Sequence, residues 1–304
     1  MAAGDRWIDL LDPTLEELSA HVPKPVHESA LEQLLAPAQH ADEPRPKLES
    51  HGEYVFGVFL VAVAVPERDE VYYQEVDLVM TREVLVTVRK TPEVGRPPYD
   101  TETAKAACRP DESLGMIVYR LVDDIAERYL DLIDELNDEI DDLEDHVEEW
   151  PSERIRERLS LLRHDLLHIR RMLSPARDAV RAVVDNRIEL AGEEVFTHDV
   201  ELSFGAAYDK LLRALEGLEL SRDLVAGVRD YHQAKVANDQ NDVMKKLTAI
   251  ASMLLLPTLI VGLYGQNFLH MPELHWWWGY YWSLGLIAMT TAAQAVYFKR
   301  KGWL

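Results

Sequence analysis

Two apolar stretches close the chain, residues 247–264 and about 279–298, and nothing upstream compares with them. Each runs about 18–20 residues, which at ~1.5 Å rise per residue crosses a ~30 Å hydrocarbon core as a helix. Between them lies Tyr264-Gly265-Gln266-Asn267-Phe268, a short polar hinge with a backbone-permissive glycine and an amide side chain. The pattern predicts a helical hairpin that tethers a large acidic body to a bilayer. A polar hinge between the spans suits passage of an ion better than simple anchoring.

Upstream the pattern changes twice. Trp7-Ile8-Asp9-Leu10 reads as a short strand, Asp12-Pro13 starts a helix over 14–21, and 24–35 is a second helix candidate. Three runs rich in Val, Tyr, Phe and Thr follow at 46–50, 54–65 and 75–89, the last broken by a turn near 81–83. These interleaved signals predict an α/β domain closing near Pro97-Pro98. From about Glu112 the pattern is helical. Ile117, Leu121, Ile125, Tyr129, Leu132, Leu136, Ile140 and Leu143 recur at three- and four-residue steps, marking one face of a helix over 113–149. Pro151-Ser152 breaks it, and 153–186 gives a second helix of opposite sense. After a turn near Gly192, a third helix begins near His198 and meets no strong breaker before Pro257. Continuous to Tyr264, it would be about 65–70 residues, roughly 100 Å, too long to be buried in one compact domain.

The fold class expected is therefore α+β. A cytosolic α/β domain over 1–110 precedes long antiparallel helices over 111–197. A stalk helix over 198–246 leads into a transmembrane hairpin over 247–304, with an outer loop at 265–278.

Charge adds orientation. Lys245 and Lys246 precede the first span, Lys299, Arg300 and Lys301 follow the second, and residues 266–280 hold no lysine or arginine. Positive flanks stay on the cytosolic side, so both termini should face the cytosol and the loop should face outside. Trp276, Trp277, Trp278, Tyr280, Tyr281 and Trp282 cluster where an interfacial aromatic belt belongs. The polar N-terminus shows no apolar core before a cleavage site, so no signal peptide is expected. The net charge of −22 over 304 residues argues against nucleic acid as a partner and favours accumulation of cations. Cys108, the single cysteine, excludes an internal disulfide, fits a reducing compartment and receives no functional role.

Residues 123–149 are strongly acidic, with Arg128 nearly alone among them. A solvated helix face explains this adequately, and a cation-attracting surface near a pore mouth is the sharper alternative. Arginines at 154, 156, 158, 163, 170 and 171 are expected to offset part of the repulsion from the neighbouring helix.

Two spans per chain cannot enclose a conduit, so a pore requires several copies. Alternating three- and four-residue steps along the third helix give Asn241, Met244, Thr248, Ala251, Leu255, Thr258, Gly262 and Gly265. Most are small or polar, whereas Leu254, Leu256, Leu259, Ile260 and Leu263 lie off the stripe. A 3.5-residue repeat keeps one seam facing a common axis. Two readings stay open on spacing alone. The seam lines an aqueous path, or Gly262 and Gly265 merely allow close helix packing while Thr258 bonds back to its own helix.

The hinge, followed by Met271-Pro272-Glu273-Leu274, Trp276, Gly279, Tyr297-Phe298-Lys299 and Trp303-Leu304, resembles the CorA family of magnesium transporters. Asn241-Asp242-Val243-Met244-Lys245-Lys246-Leu247-Thr248 is similar to the family's approach to its first span. The resemblance implies a homopentameric funnel in a bacterial-type inner membrane, with first spans lining the pore. It implies Mg²⁺ as the transported ion and possible regulator, with Co²⁺ or Ni²⁺ as further cargo, and no organic cofactor. By position it makes Gly265, Gln266 and Asn267 the selectivity filter, where the family signature has methionine in place of Gln266. Asn241 and Thr258 become polar rings, Met244 and Leu247 an apolar gate, Leu255 a second constriction, and Asp230 an acidic ring at the cytosolic mouth. The family's regulatory acid, two positions before the tyrosine matching Tyr208, is replaced by Ala206, which leaves Asp209 beside it as a weak candidate ligand. Glu273 in the outer loop would draw cations to the mouth.

His270 and His275 flank Glu273 and keep a Zn²⁺ transporter of the related zinc branch as an alternative. A non-conducting membrane-anchored scaffold is the alternative from another class. No P-loop, nucleophile elbow or zinc-protease signature is present, so the sequence does not indicate an enzyme or an ATP-driven pump.

Overall fold

The computed structural model describes residues 6–22, 26–38, 43–65, 70–92, 95–191, 194–266 and 271–304. It forms two compact units, Met1–Arg229 and Asp230–Leu304. The first unit is built on a five-stranded sheet: β1 (Trp7–Leu11), β2 (Lys47–Ser50), β3 (Val55–Val65), β4 (Glu70–Met80) and β5 (Leu85–Arg89). Spatial order is β1-β5-β4-β3-β2, with β1 parallel to β5 and every other pair antiparallel. The run expected at 75–89 is two strands joined by a turn in which Thr81 N–H donates to the Val84 carbonyl at 2.9 Å. β4 starts five residues earlier than its sequence pattern indicates, because Glu70–Gln74 pair fully with β3 despite their polar members.

One sheet face carries two short helices, α1 (Leu15–His21) and α2 (Glu28–Leu35). Thr14 and Glu17 close a reciprocal capping box at the start of α1, which explains why the helix begins after Asp12-Pro13. Leu18, Val22, Val26, Ala30 and Leu34 pack there against Phe56, Val58, Val79, Val86 and Val88. The main core joins the sheet to long helices α4 (Leu114–Asp145) and α5 (Ser152–Val184), after a short α3 (Glu102–Ala107) that no sequence signal marked. All eight apolar positions expected on the α4 stripe are buried. Tyr129 on that stripe donates its hydroxyl to the Leu60 carbonyl at 2.6 Å, so its one polar atom is met inside the core.

Helix α6, His198–Tyr264, runs unbroken for 67 residues and carries Pro257 within it. The second unit takes its last part, a 3₁₀ turn (Pro272–His275) and α7 (Gly279–Arg300). Among the described residues α6 is the one helix long and apolar enough to cross a membrane, with a mean hydropathy of 2.0 over its apolar window. Helix α7 has the length, at 22 residues, but Thr290, Thr291 and Gln294 and its aromatic start make it less apolar.

Beneath α2 lies a buried charge cluster. Lys90 Nζ is 2.5 Å from Glu75 Oε1 and donates to the Gln33 carbonyl at 2.9 Å. It also sits 2.9 Å from Asp77 Oδ2. That last contact is ionic without hydrogen-bond alignment, and Asp77 Oδ1 accepts nothing. Burial pushes the Asp77 carboxyl up to about 7, with Lys90 opposing the rise and Glu75 adding to it. The folded state therefore holds this proton more tightly than the unfolded chain. Its stabilisation is complete below the ordinary carboxylate range and is lost as pH rises through about 7. Opening free energies from amide exchange across β4 and β5 should fall between about pH 4 and pH 7 in the wild type, and Asp77→Asn should flatten that slope. Lys90→Met, which strands both carboxylates, should cost about 3–5 kcal/mol.

Candidate functional site

In the second unit the two helices divide the surface of α6 into distinct faces. The less exposed positions of α7 are Ser283, Leu286, Ile287, Thr290, Thr291, Gln294, Ala295 and the buried Phe298, a three- and four-residue stripe. On α6 the covered positions are Ala249, Ser252, Met253, Leu256, Pro257, Ile260 and Tyr264. Gln294 Nε2 donates across the pair to the Ser252 carbonyl and hydroxyl, at 3.3 Å each. Asn241, Met244, Thr248, Ala251, Leu255, Thr258, Gly262 and Gly265 are all exposed. At about 100° per residue these positions centre on the side of α6 opposite the one that α7 covers. Leu255 is 69% exposed and Met244 58%. Leu247, also 58% exposed, lies one step off the repeat on the flank of the seam. The apolar residues expected off the stripe separate into two groups. Leu256 and Ile260 are half-buried on the α7 side, whereas Leu254, Leu259 and Leu263 remain exposed.

The seam's hydroxyls are both tied to their own helix. Thr248 donates to the Met244 carbonyl at 2.8 Å and Thr258 to the Leu254 carbonyl at 2.7 Å. Each hydroxyl has one hydrogen to give, so what it presents outward is lone pairs alone. Past the helix end, Gly265 N–H reaches the Val261 carbonyl at 2.8 Å, and a Cβ at Gly265 would stand 3.1 Å from that oxygen. Gln266 is exposed. Asn267 and His270 lie outside the described residues.

The outer turn is built tightly. Trp276 N–H donates to the Glu273 carbonyl at 3.2 Å, and Gly279 N–H to the Trp276 carbonyl at 3.1 Å. A Cβ on Gly279 would meet the Glu273 carbonyl at 2.4 Å, so only glycine starts α7 here without a shift. Glu273 is half-buried. Trp276 stacks on Trp278 at 5.2 Å, and Trp278 meets Trp282 edge-on at 5.8 Å, which gathers the expected aromatic belt at the start of α7.

In the first unit Ala206 and Asp209 are exposed on α6, and Arg213 Nε donates to the Asp209 carbonyl at 3.4 Å. Asp230, the first residue of the second unit, is exposed. The acidic face of α4 is shared out among several cations. Lys210 of α6 holds Asp123 and Glu127 at 2.8 Å each, Arg128 holds Asp124 at 2.8 Å, and Arg158 of α5 pairs with Glu139. Other α5 arginines go elsewhere: Arg156 to Glu153 of its own helix, Arg170 to Glu219, and Arg154 over the Trp150 ring. Among the described residues no three His, Cys, Asp or Glu side chains converge as a metal cage. Sequence reasoning missed Ser252 and Gln294. An amide within an apolar span is itself a signal of a partner or a role, and it was there to be read.

A family model described as CorA-like Mg²⁺ transporter protein matches residues 3–300. The chain belongs to this family. A relative described as cobalt/magnesium transport protein CorA, from Thermotoga maritima, is 31% identical over 280 residues, covering 92% of this chain and 77% of its own. The fold is that of the CorA magnesium transporter from Methanocaldococcus jannaschii, with a TM-score of 0.78 at 22% identity over 98% of this chain and 91% of that one. It is also similar to the full-length CmaX protein, at a TM-score of 0.66 and 20% identity over 97% and 87% of the two chains. This CorA-family chain is thus a membrane protein of divalent-cation transport, and the family is not one of enzymes.

Gly279→Ala should destabilise the second unit by about 1–3 kcal/mol through overpacking against the Glu273 carbonyl. A lowered thermal midpoint of the detergent-solubilised protein is the expected reading.

Proposed function

We propose that this CorA-family chain assembles as a homopentamer and conducts hydrated Mg²⁺, with Co²⁺ and Ni²⁺ as further cargo, along a path lined by the seam of α6. The observation that carries this reading is the placement of α7 on the side of α6 opposite the seam. A second span that covered Thr248, Ala251, Leu255 and Thr258 would make them a packing surface within one chain. Left uncovered, they are available to face a shared axis.

Chemistry agrees with geometry. Water around Mg²⁺ points its oxygens at the ion and its hydrogens outward, and Mg²⁺ sheds that shell reluctantly. A wall that suits the intact aquo ion must accept hydrogen bonds. Thr248 and Thr258 present acceptors only, because their hydrogens are committed to the helix. The carboxamides of Gln266 and Asn267 and the backbone carbonyls near Gly265 supply further neutral acceptors as the filter. Neutral acceptors recognise the ion without holding it too tightly to leave. Asn241 adds a polar ring, Met244, Leu247 and Leu255 give apolar constrictions, and Asp230 and Glu273 attract cations at the two mouths. Both termini then face the cytosol, in keeping with the lysines and arginines that flank the spans. Asp209 is the acid that stands nearest the position where the family carries its regulatory carboxylate.

Uptake of Mg²⁺ into liposomes by the purified protein tests the reading. Asn267→Ala should lower the flux about tenfold, equivalent to ~1.4 kcal/mol on the limiting barrier. Leu247→Gly should raise leak, and Gln266→Met should retain Mg²⁺ flux with an altered preference among divalent ions. No divalent-cation flux under any gradient would refute conduction.

A further inference from the structure

Gln294 is the sixteenth of the 22 residues of α7 and is an expensive residue for a membrane span unless its amide is used. Its Nε2 reaches two acceptors on one residue, the Ser252 carbonyl and hydroxyl, both at 3.3 Å. Among the described residues this is the side-chain hydrogen bond from α7 onto the span 247–264. The rest of the contact is made by apolar groups such as Ala249, Leu256, Ile260 and Phe298, which carry no hydrogen bond between the helices. Rotation matters here. Ser252 is half-buried at the edge of the covered side of α6, about 80° round from the centre of the seam, and turning the helix by one residue, about 100°, would bring Leu254 or Leu256 toward the axis in place of Leu255.

We infer that Gln294 is a positioning residue for conduction: its amide clasps α6 at Ser252 and fixes the rotation of that helix, keeping the seam turned toward the shared axis. The inference rests on the pore reading above. Gln294 Oε1 and, one turn away, Thr291 Oγ1 are buried and accept nothing. The amide's hydrogen bonding is thus directed wholly at Ser252. Carbonyl and hydroxyl act together as the clasp, so loss of the Ser252 hydroxyl leaves half of it in place.

The test uses full-length protein in lipid nanodiscs and liposomes, in a Cys108→Ser background. Spin labels go on the exposed positions Leu254→Cys and Val296→Cys, with labelled subunits diluted into unlabelled ones so that the distance read is within one chain. With Gln294 present the distance distribution should be narrow. Gln294→Met, of similar length without donors, should broaden it and lower Mg²⁺ flux per folded protein about threefold to fifteenfold, the range for one interhelical hydrogen bond. Ser252→Ala should have a smaller effect and add nothing on top of Gln294→Met, as expected for two ends of one contact. A broadened distance with unchanged flux makes Gln294 structural glue and overturns the inference, as does a Gln294→Met protein unchanged in both. Wild type that carries no divalent ion overturns the pore reading instead. Wild-type flux that Gln294→Met leaves intact overturns the clasp alone.

Discussion

Hydrocarbon supplies no hydrogen bonds, so every polar group on a helix that enters it must be met by the helix, by a neighbour or by an aqueous path. Helix α6 meets this constraint in two ways. Thr248 and Thr258 bond back to carbonyls one turn below. Ser252 is met by Gln294 from α7. Pro257 lacks the N–H that would bond the Met253 carbonyl, and both residues lie on the side covered by α7, away from the exposed faces. The polarity of α6 is therefore sorted by face. On the exposed seam Thr248 and Thr258 turn outward lone pairs alone, and those are what an aquo ion asks of a wall.

The parts of this arrangement that were legible in the sequence are the periodic ones. The α4 stripe, the length of α6 and the seam from Asn241 to Gly265 are repeats of three and four residues, and a helix converts such spacing into a face with no further information. Pairings between distant residues were not legible. The parallel contact of β1 with β5 joins Trp7 to Leu85, and nothing local to either segment announces it. The start of β4 was hidden because Glu70 and Gln74 look like loop residues, although the β3 register holds them in the ladder. Helix α3 has six residues and no side-chain cap bond, too little to rise above its surroundings. The Gln294–Ser252 contact spans 42 positions, and its amide was visible while its partner was not.

The acidic helix divides its charges between partners inside the fold and solvent. In sequence, residues 123–149 form a field that reads either as solvation or as a cation-attracting surface. In the fold Asp123 and Glu127 are held by Lys210, Asp124 by Arg128 and the Tyr99 hydroxyl, and Glu139 by Arg158, while Asp131, Asp134, Asp138, Asp141, Glu144 and Asp145 are exposed. Glu135 is left with its carboxyl pushed up by burial and by Asp131 nearby. What reaches solvent is a negative potential, screened within about 8 Å at physiological salt, which raises local cation concentration.

Ion choice in the proposed pore follows from what its wall lacks. Between Asn241 and Phe268 the sequence holds no histidine, no cysteine and, past Asp242, no carboxylate. Softer divalent ions are favoured over Mg²⁺ through nitrogen and thiolate ligands that replace their water. A path of hydroxyl, carboxamide and carbonyl oxygens offers no such exchange, so it sorts ions by the size and firmness of the aquo shell. Mg²⁺ gives up that shell reluctantly. Gln266 brings an amide to a position where the family signature has a thioether, adding one more oxygen acceptor and leaving this logic intact. In the proposed filter the substitution would favour recognition of bound water over contact with the bare metal.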